Sequence, residues 1–283
     1  MDFNKKVPIG IFDSGYGGLT ILKEIQTLLP EFDYLYLGDN ARSPYGTRSF
    51  EVVYEFTLQA VKWLFDQGCH LVILACNTAS AKALRTIQQK DLPLIAPEKR
   101  VLGVIRPTAE CIGGITRTRH VGVLGTPGTI SSLSYPLEIE KLFPDIQVSG
   151  EACPMWVPLV ENEEHDKSGA DYFIRQNLKN ILRKDPKIDT LILGCTHYPL
   201  LENKIRQFLP KSVQVVSQGK WVAESLKDYL FRHPEIRKIC SQNGSSEFYT
   251  TESETKFLRM VSLFLKKSVD CKRISLSESC LTK

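Results

Sequence analysis

The chain has 283 residues, of which 42% are hydrophobic and 24% charged, and carries a formal net charge of +4 at neutral pH. That length accommodates two modest domains or one large one, and that composition argues against disorder. The charge excess is slight and no basic block is dense enough for a nucleic-acid surface, while no apolar run approaches the ~20 residues that span a bilayer. Met1 to Lys6 lacks the apolar core of a signal peptide. The eight cysteines show no paired framework and no C-x-x-C, so free thiols in a reducing cytoplasm are expected.

In chain order, Val7 to Phe12 reads as a short buried strand. It runs into the turn Asp13-Ser14-Gly15-Tyr16-Gly17-Gly18-Leu19-Thr20 and then a helix to about Leu29, before Pro30. A glycine-rich turn opening a helix offers unpaired N–H groups to an anion. A nucleotide phosphate is disfavoured: the turn has neither a Gly-Lys-Ser/Thr ending nor GxGxxG spacing, and Asp13 would repel it. An acid beside N–H donors suits a small zwitterion better. A second strand, Phe32 to Leu37, leads to a loop containing Pro44-Tyr45-Gly46. This is ordinary turn chemistry, yet its position after a strand puts it on the same edge as Asp13, as a pocket wall. Phe50 to Gln67 is an amphipathic helix with Val53, Phe56, Ala60, Trp63 and Leu64 on its core face.

The apolar run Leu71 to Leu74 ends in Ala75-Cys76-Asn77-Thr78-Ala79-Ser80, with a helix over Ala79 to Leu84. Polar residues between a strand and a helix mark the carboxyl edge where open α/β sheets place ligands. A merely buried cysteine is the competing reading, and Cys69 is read that way. Residues 91–100 read as a connection, Val101 to Ile105 as a strand ending at Arg106-Pro107, and Thr108 to Ile115 as a helix. Val121 to Leu124 is a strand followed by Gly125-Thr126-Pro127-Gly128-Thr129 and a helix from about Ile130 to Leu142. After Val148, the proline-broken segment Cys153 to Val160 ends in the acid Glu161, and a helix over Asp171 to Arg183 leads to the strand before Cys195. A helix to Phe208, a strand Val213 to Val216 and a helix Val222 to Phe231 follow. Glu247 to Lys267 reads as one strand and one helix, and Asp270 to Lys283 as a polar tail.

Two stretches recur in the same order. Ile9-Gly10-Ile11-Phe12-Asp13-Ser14-Gly15 is echoed by Val121-Gly122-Val123-Leu124-Gly125-Thr126-Pro127, and the Cys76 stretch by Thr190-Leu191-Ile192-Leu193-Gly194-Cys195-Thr196-His197-Tyr198-Pro199. The chain therefore reads as two related α/β halves.

Asp13-Ser14-Gly15-x-Gly17-Gly18-Leu19, Pro44-Tyr45-Gly46, the Cys76 motif and Gly194-Cys195-Thr196-His197-Tyr198-Pro199-Leu200-Leu201 resemble those of glutamate racemase, as do Gly103-Val104-Ile105, Gly125-Thr126-x-x-Thr129 and Cys153-Pro154 leading to Val157-Pro158-Leu159-Val160-Glu161. The resemblance runs from about Ile9 to Leu230. It implies two pseudo-symmetric three-layer α/β lobes with mainly parallel sheets and a site in the cleft between them, here divided as 1–102 plus 216–283 and 103–215. It implies a cofactor-independent, metal-free isomerase that makes D-glutamate for peptidoglycan, with glutamate as its partner and neither membrane nor nucleic acid. A cytoplasmic homodimer is expected.

Racemisation without a cofactor requires a proton removed from one face of the α-carbon and another delivered to the opposite face. Two thiols suit this, because a thiol pKa of about 8.5 lies near working pH. By resemblance, Cys76 and Cys195 are the acid–base pair, Asp13 serves Cys76, and His197 with Glu161 serves Cys195. Asp13, Ser14, Pro44, Tyr45, Gly46, Asn77, Thr78, Thr126, Thr129, Thr196 and His197 would hold the substrate. Many members carry Asp-Ser-Gly where this chain has Ser217-Gln218-Gly219, a departure expected to act on lobe closure or regulation rather than on chemistry. Three alternatives stay open: an aspartate racemase using the same thiols, a binding or regulatory protein, and a metal site made of Cys76, Cys195 and His197.

Overall fold

The computed structural model describes residues 6–276. Its strands are β1 (Ile9–Asp13), β2 (Tyr34–Gly38), β3 (Leu71–Leu74), β4 (Arg100–Gly103), β5 (His120–Gly125), β6 (Gln147–Ala152), β7 (Thr190–Gly194), β8 (Gln214–Val216), β9 (Ser246–Thr250) and β10 (Cys271–Arg273). They form a six-stranded sheet ordered β10-β9-β2-β1-β3-β4 and a four-stranded sheet ordered β6-β5-β7-β8. Every pairing is parallel. Parallel strands need crossover helices on both faces, so their central members are apolar along their whole length rather than alternating. Every residue of β1, β2, β3 and β7 is accordingly buried.

The repeat seen in the sequence is a repeat of topology. The order β2-β1-β3-β4 in one sheet matches β6-β5-β7-β8 in the other. In each, the chain leaves the first strand toward one side and returns to the other, which opens a crevice at the carboxyl ends of β1 and β3 and, equivalently, of β5 and β7. Asp13 ends β1, Cys76 follows β3, Thr126 follows β5 and Cys195 follows β7.

The helix Gly219–Arg232 packs on the helix Gly18–Leu28, as does Glu254–Leu265, so the last third of the chain returns to the first sheet. Glu254–Leu265 begins at Ser253, whose side chain accepts the Lys256 backbone N–H. Its Phe257 is fully buried, with its ring 6.0 Å from that of Tyr16 and 6.1 Å from that of Tyr36.

Several boundaries differ from those read in the sequence. The stretch 91–100 is not a plain connection: helical backbone continues from Asn77 through a π-helical turn at Ile87–Asp91 to Leu92–Ile95. Pro93 falls in the first turn of that last piece, where its missing N–H breaks no bond. For the same reason Arg106-Pro107 does not follow a strand but lies within the first turn of the helix Ile105–Ile112. The helix expected over Ile130 to Leu142 is two, Pro127–Ser131 and Ser134–Leu142, separated by Leu133 in the left-handed region at φ 55°. The polar tail contains an edge strand, β10, whose backbone pairs with β9 irrespective of its polar side chains; residues 277–283 of that tail lie outside the described part.

Removing the Phe257 ring should leave a cavity behind β1 and β2. Phe257→Ala is expected to destabilise the protein by roughly 3–5 kcal/mol, the usual cost of truncating a buried aromatic, read as a lower urea midpoint. An unchanged midpoint would contradict this packing.

Candidate active site

The two crevices face each other. Ser14, Pro44, Tyr45, Gly46, Cys76, Asn77 and Thr78 from the first half, and Thr126, Cys195, Thr196 and His197 from the second, line one narrow pocket of about 30 Å³. That is far below the ~300–1,000 Å³ usual for small-molecule sites, so the two halves are drawn closely together over the site. Ser43 and Val157 also line it. Neither was singled out in the sequence, although each adjoins a motif that was. Asp13, Glu161 and Thr129 stand behind this lining and reach it through their neighbours.

Cys76 is the N-cap of the helix Asn77–Lys82, and its sulfur accepts the Ala79 backbone N–H at 3.4 Å. A Ser14 Oγ–Cys76 Sγ contact of 3.1 Å makes Ser14 its direct side-chain partner. Burial, reinforced by the nearby Asp13 carboxylate, pushes the Cys76 thiol up to about 12. Asp13 itself accepts the Gly15 N–H at 2.7 Å and the Thr196 hydroxyl at 3.3 Å, the latter from the opposite half. Burial raises the Asp13 pKa, opposed by the charge of His197 and by hydrogen bonds from Gly15, Gly18 and Thr196. Asp13 thus acts on Cys76 through its field, and Ser14 makes the contact.

The second thiol has different company. His197 Nδ1 lies 3.9 Å from Cys195 Sγ, and Nε2 lies 3.0 Å from Glu161 Oε1, at the end of the helix Trp156–Glu161. Both ring nitrogens can donate only when the imidazole is protonated. Burial lowers the His197 pKa, but the hydrogen bonds and charges of Cys195 and Glu161 outweigh it and carry the pKa to about 10. A folded-state value above the ordinary 6.5 means that this pair stabilises the fold fully below about pH 6.5 and loses that contribution as pH rises through about 10.

The walls are held by their own contacts. The Tyr45 hydroxyl donates to Asp39, which also accepts Arg42 Nε at 2.7 Å, and the Tyr45 ring packs on Phe12 and Phe56. Tyr45 therefore presents backbone, not its hydroxyl, to the pocket. The hydroxyls of Thr78, Thr126 and Thr129 form a cross-half cluster with contacts of 3.0, 3.3 and 3.1 Å. The Asn77 side chain is engaged by Tyr135 and Gln218. Among the described residues, no three of His, Cys, Asp and Glu are grouped as metal ligands, so the set that Cys76, Cys195 and His197 would need is not assembled. Nor is any helix there long and apolar enough to cross a membrane.

The family model for Asp/Glu/Hydantoin racemase matches residues 19–226. A glutamate racemase of Roseobacter denitrificans is 40% identical over 93% of this chain and 98% of its own length. The chain belongs to the glutamate racemase family. Two solved members superpose closely. The RacE1 isoform of Bacillus anthracis has a TM-score of 0.87 at 35% identity, covering 96% of this chain and 99% of that one. The Francisella tularensis enzyme, solved with D-glutamate, has a TM-score of 0.86 at 34% identity, covering 98% of this chain and 99% of that one. This protein is accordingly a racemase, and the seam between its sheets is where that chemistry has to be sought.

Gly17 shows how tightly the seam is drawn. A Cβ there would meet Thr196 Oγ1 and come within 2.5 Å of His197 Nδ1. Gly17→Ala should displace His197 from Cys195 and lower kcat about 10- to 100-fold, since misplacement by about 1 Å can cost 10²-fold. Steady-state kinetics at the parent's kcat would contradict the assigned contact.

Proposed function

We propose that the chain interconverts L- and D-glutamate by a cofactor-independent two-base reaction, with Cys195 acting on the α-proton of L-glutamate and Cys76 on that of D-glutamate. The observation that carries the reading is one pocket lined by two thiols from equivalent strand ends in unlike electrostatic surroundings. Burial and Asp13 keep Cys76 protonated, whereas Cys195 faces a protonated imidazole. One group ready to give a proton and one placed to take it is what an inversion needs.

In the L-to-D direction the Cα–H bond breaks, its electron pair stays on Cα, and the proton passes to Cys195 Sγ. The S–H proton of Cys76 then forms the new C–H bond on the opposite face. Cys195 ends as thiol and Cys76 as thiolate, the state from which D-to-L turnover starts. Ser14 and Asp13 orient Cys76; Glu161 holds His197 toward Cys195. Thr78, Thr126 and Thr196, with Thr129 behind the first two and with the backbone of Pro44-Tyr45-Gly46 and the residue Asn77, hold the amine and carboxylates. In this reading residues 1–102 with 216–283 form one lobe and 103–215 the other, a division that follows the segments supplying each sheet to within one residue at each boundary, Gly103 at the end of β4 and Val216 at the end of β8. The family resemblance supports D-glutamate supply for peptidoglycan, by a cytoplasmic homodimer.

Cys76→Ser and Cys195→Ser should each abolish racemisation while leaving slow α-proton exchange on a single enantiomer, followed by NMR in D₂O. Full racemisation by either variant would remove the two-base reading. Activity should follow a bell-shaped pH profile whose alkaline limb falls near pH 10, as His197 loses its proton. An alkaline limb unmoved by His197→Asn would contradict the role given to the imidazolium.

A further inference from the structure

Gln218 opens the helix Gly219–Arg232 and is 2% exposed. Its Oε1 accepts Asn77 Nδ2 at 2.6 Å, Asn77 Oδ1 accepts the Tyr135 hydroxyl at 2.8 Å, and the Tyr135 oxygen accepts Gln218 Nε2 at 2.6 Å. The three side chains close a ring in which each gives one proton and takes one. Turning either amide over would set donor against donor or acceptor against acceptor, so the ring fixes both orientations. The remaining Gln218 N–H points to Thr108 Oγ1 at 3.0 Å, with the Val104 carbonyl at 3.2 Å. Asn77 and Tyr135 are as buried as Gln218, at 2% and 1%, so no water replaces a lost member without a rearrangement.

The ring spans the seam. Asn77 follows Cys76 directly and is the first residue of its helix, Tyr135 lies on the helix Ser134–Leu142 of the second half, and Gln218 lies just beyond β8. A hydroxyl as short as serine's at position 218 could not reach across it. We propose that Gln218 is a positioning residue for racemisation: through the ring with Asn77 and Tyr135 it anchors the turn carrying Cys76 to the opposite half and so sets where the Cys76 sulfur stands relative to the α-carbon. This rests on Cys76 being the acid–base group for D-glutamate.

The test compares Gln218→Met, which keeps the length of the side chain without its polar atoms, with Tyr135→Phe, which removes one hydroxyl, in the full chain. Each is expected to lower kcat/KM at least tenfold in both directions, with the double variant no worse than either single one, because both break the same ring. Slowing only the Cys76 step makes that step limiting. The primary isotope effect with α-deuterated D-glutamate should therefore rise, and that with α-deuterated L-glutamate should fall. A loss of folded enzyme would leave both isotope effects at the parent's values, and that result overturns the proposal, as do parent-like kinetics or additive losses. Cys76→Ser assayed alongside separates the two failures. If it racemises normally, the two-base reading is wrong and this inference falls with it; if it is inactive while Gln218→Met behaves as the parent, only the positioning role is wrong.

Discussion

Exclusion of water from the seam between two parallel sheets governs the rest of this structure. Asp13, Cys76, Cys195 and His197 are each at most 6% exposed. In such surroundings every charge needs a partner, and an unpartnered group gives up its charge instead. Cys76, beside a carboxylate, is held as a thiol, while His197, between the Cys195 sulfur and a carboxylate, is held as a cation. In open water the same groups would lose most of this difference. Dry burial therefore places two side chains of identical chemistry, Cys76 and Cys195, in unlike electrostatic surroundings.

The fold is repeated but the chemistry placed on it is not. Strand order and strand-end cysteine recur in both halves, which brings the two sulfurs to one pocket. The partners differ: a serine hydroxyl and a nearby acid for Cys76, a histidine backed by Glu161 for Cys195. One apolar cluster runs through both halves, and beside the site polar contacts join them as well: the Thr78–Thr126–Thr129 cluster and the Asn77–Tyr135–Gln218 ring, each with one member on the helix that Cys76 caps. Such contacts demand geometry that a greasy interface would not, and so couple the position of the sulfur to the fit of the halves.

Much of this was legible in the sequence because buried parallel strands leave a strong mark. Unbroken apolar runs located β1, β3, β5 and β7, and the abrupt change to polar residues at their ends located the site. The helix over Ile87–Asp91 and Leu92–Ile95 was hidden because prolines and mixed charge in 91–100 read as a loop, while the tolerance of a helix's first turn for proline depends on where the turn begins. β10 was hidden because an edge strand is made by backbone pairing and needs no apolar pattern. The Ser14–Cys76 contact and the Gln218 ring join residues 62 and 141 positions apart. No local pattern reports that kind of proximity, although Ser217-Gln218-Gly219 stood out as a departure from the family.

The most direct test of the account is a crystal structure with glutamate bound in the seam. The two sulfurs should stand on opposite faces of the α-carbon, each at roughly the 3–3.5 Å of a near-attack geometry, with His197 between Cys195 and Glu161. A glutamate whose α-carbon faces only one of the sulfurs, or that binds elsewhere while the seam stays closed, would contradict it.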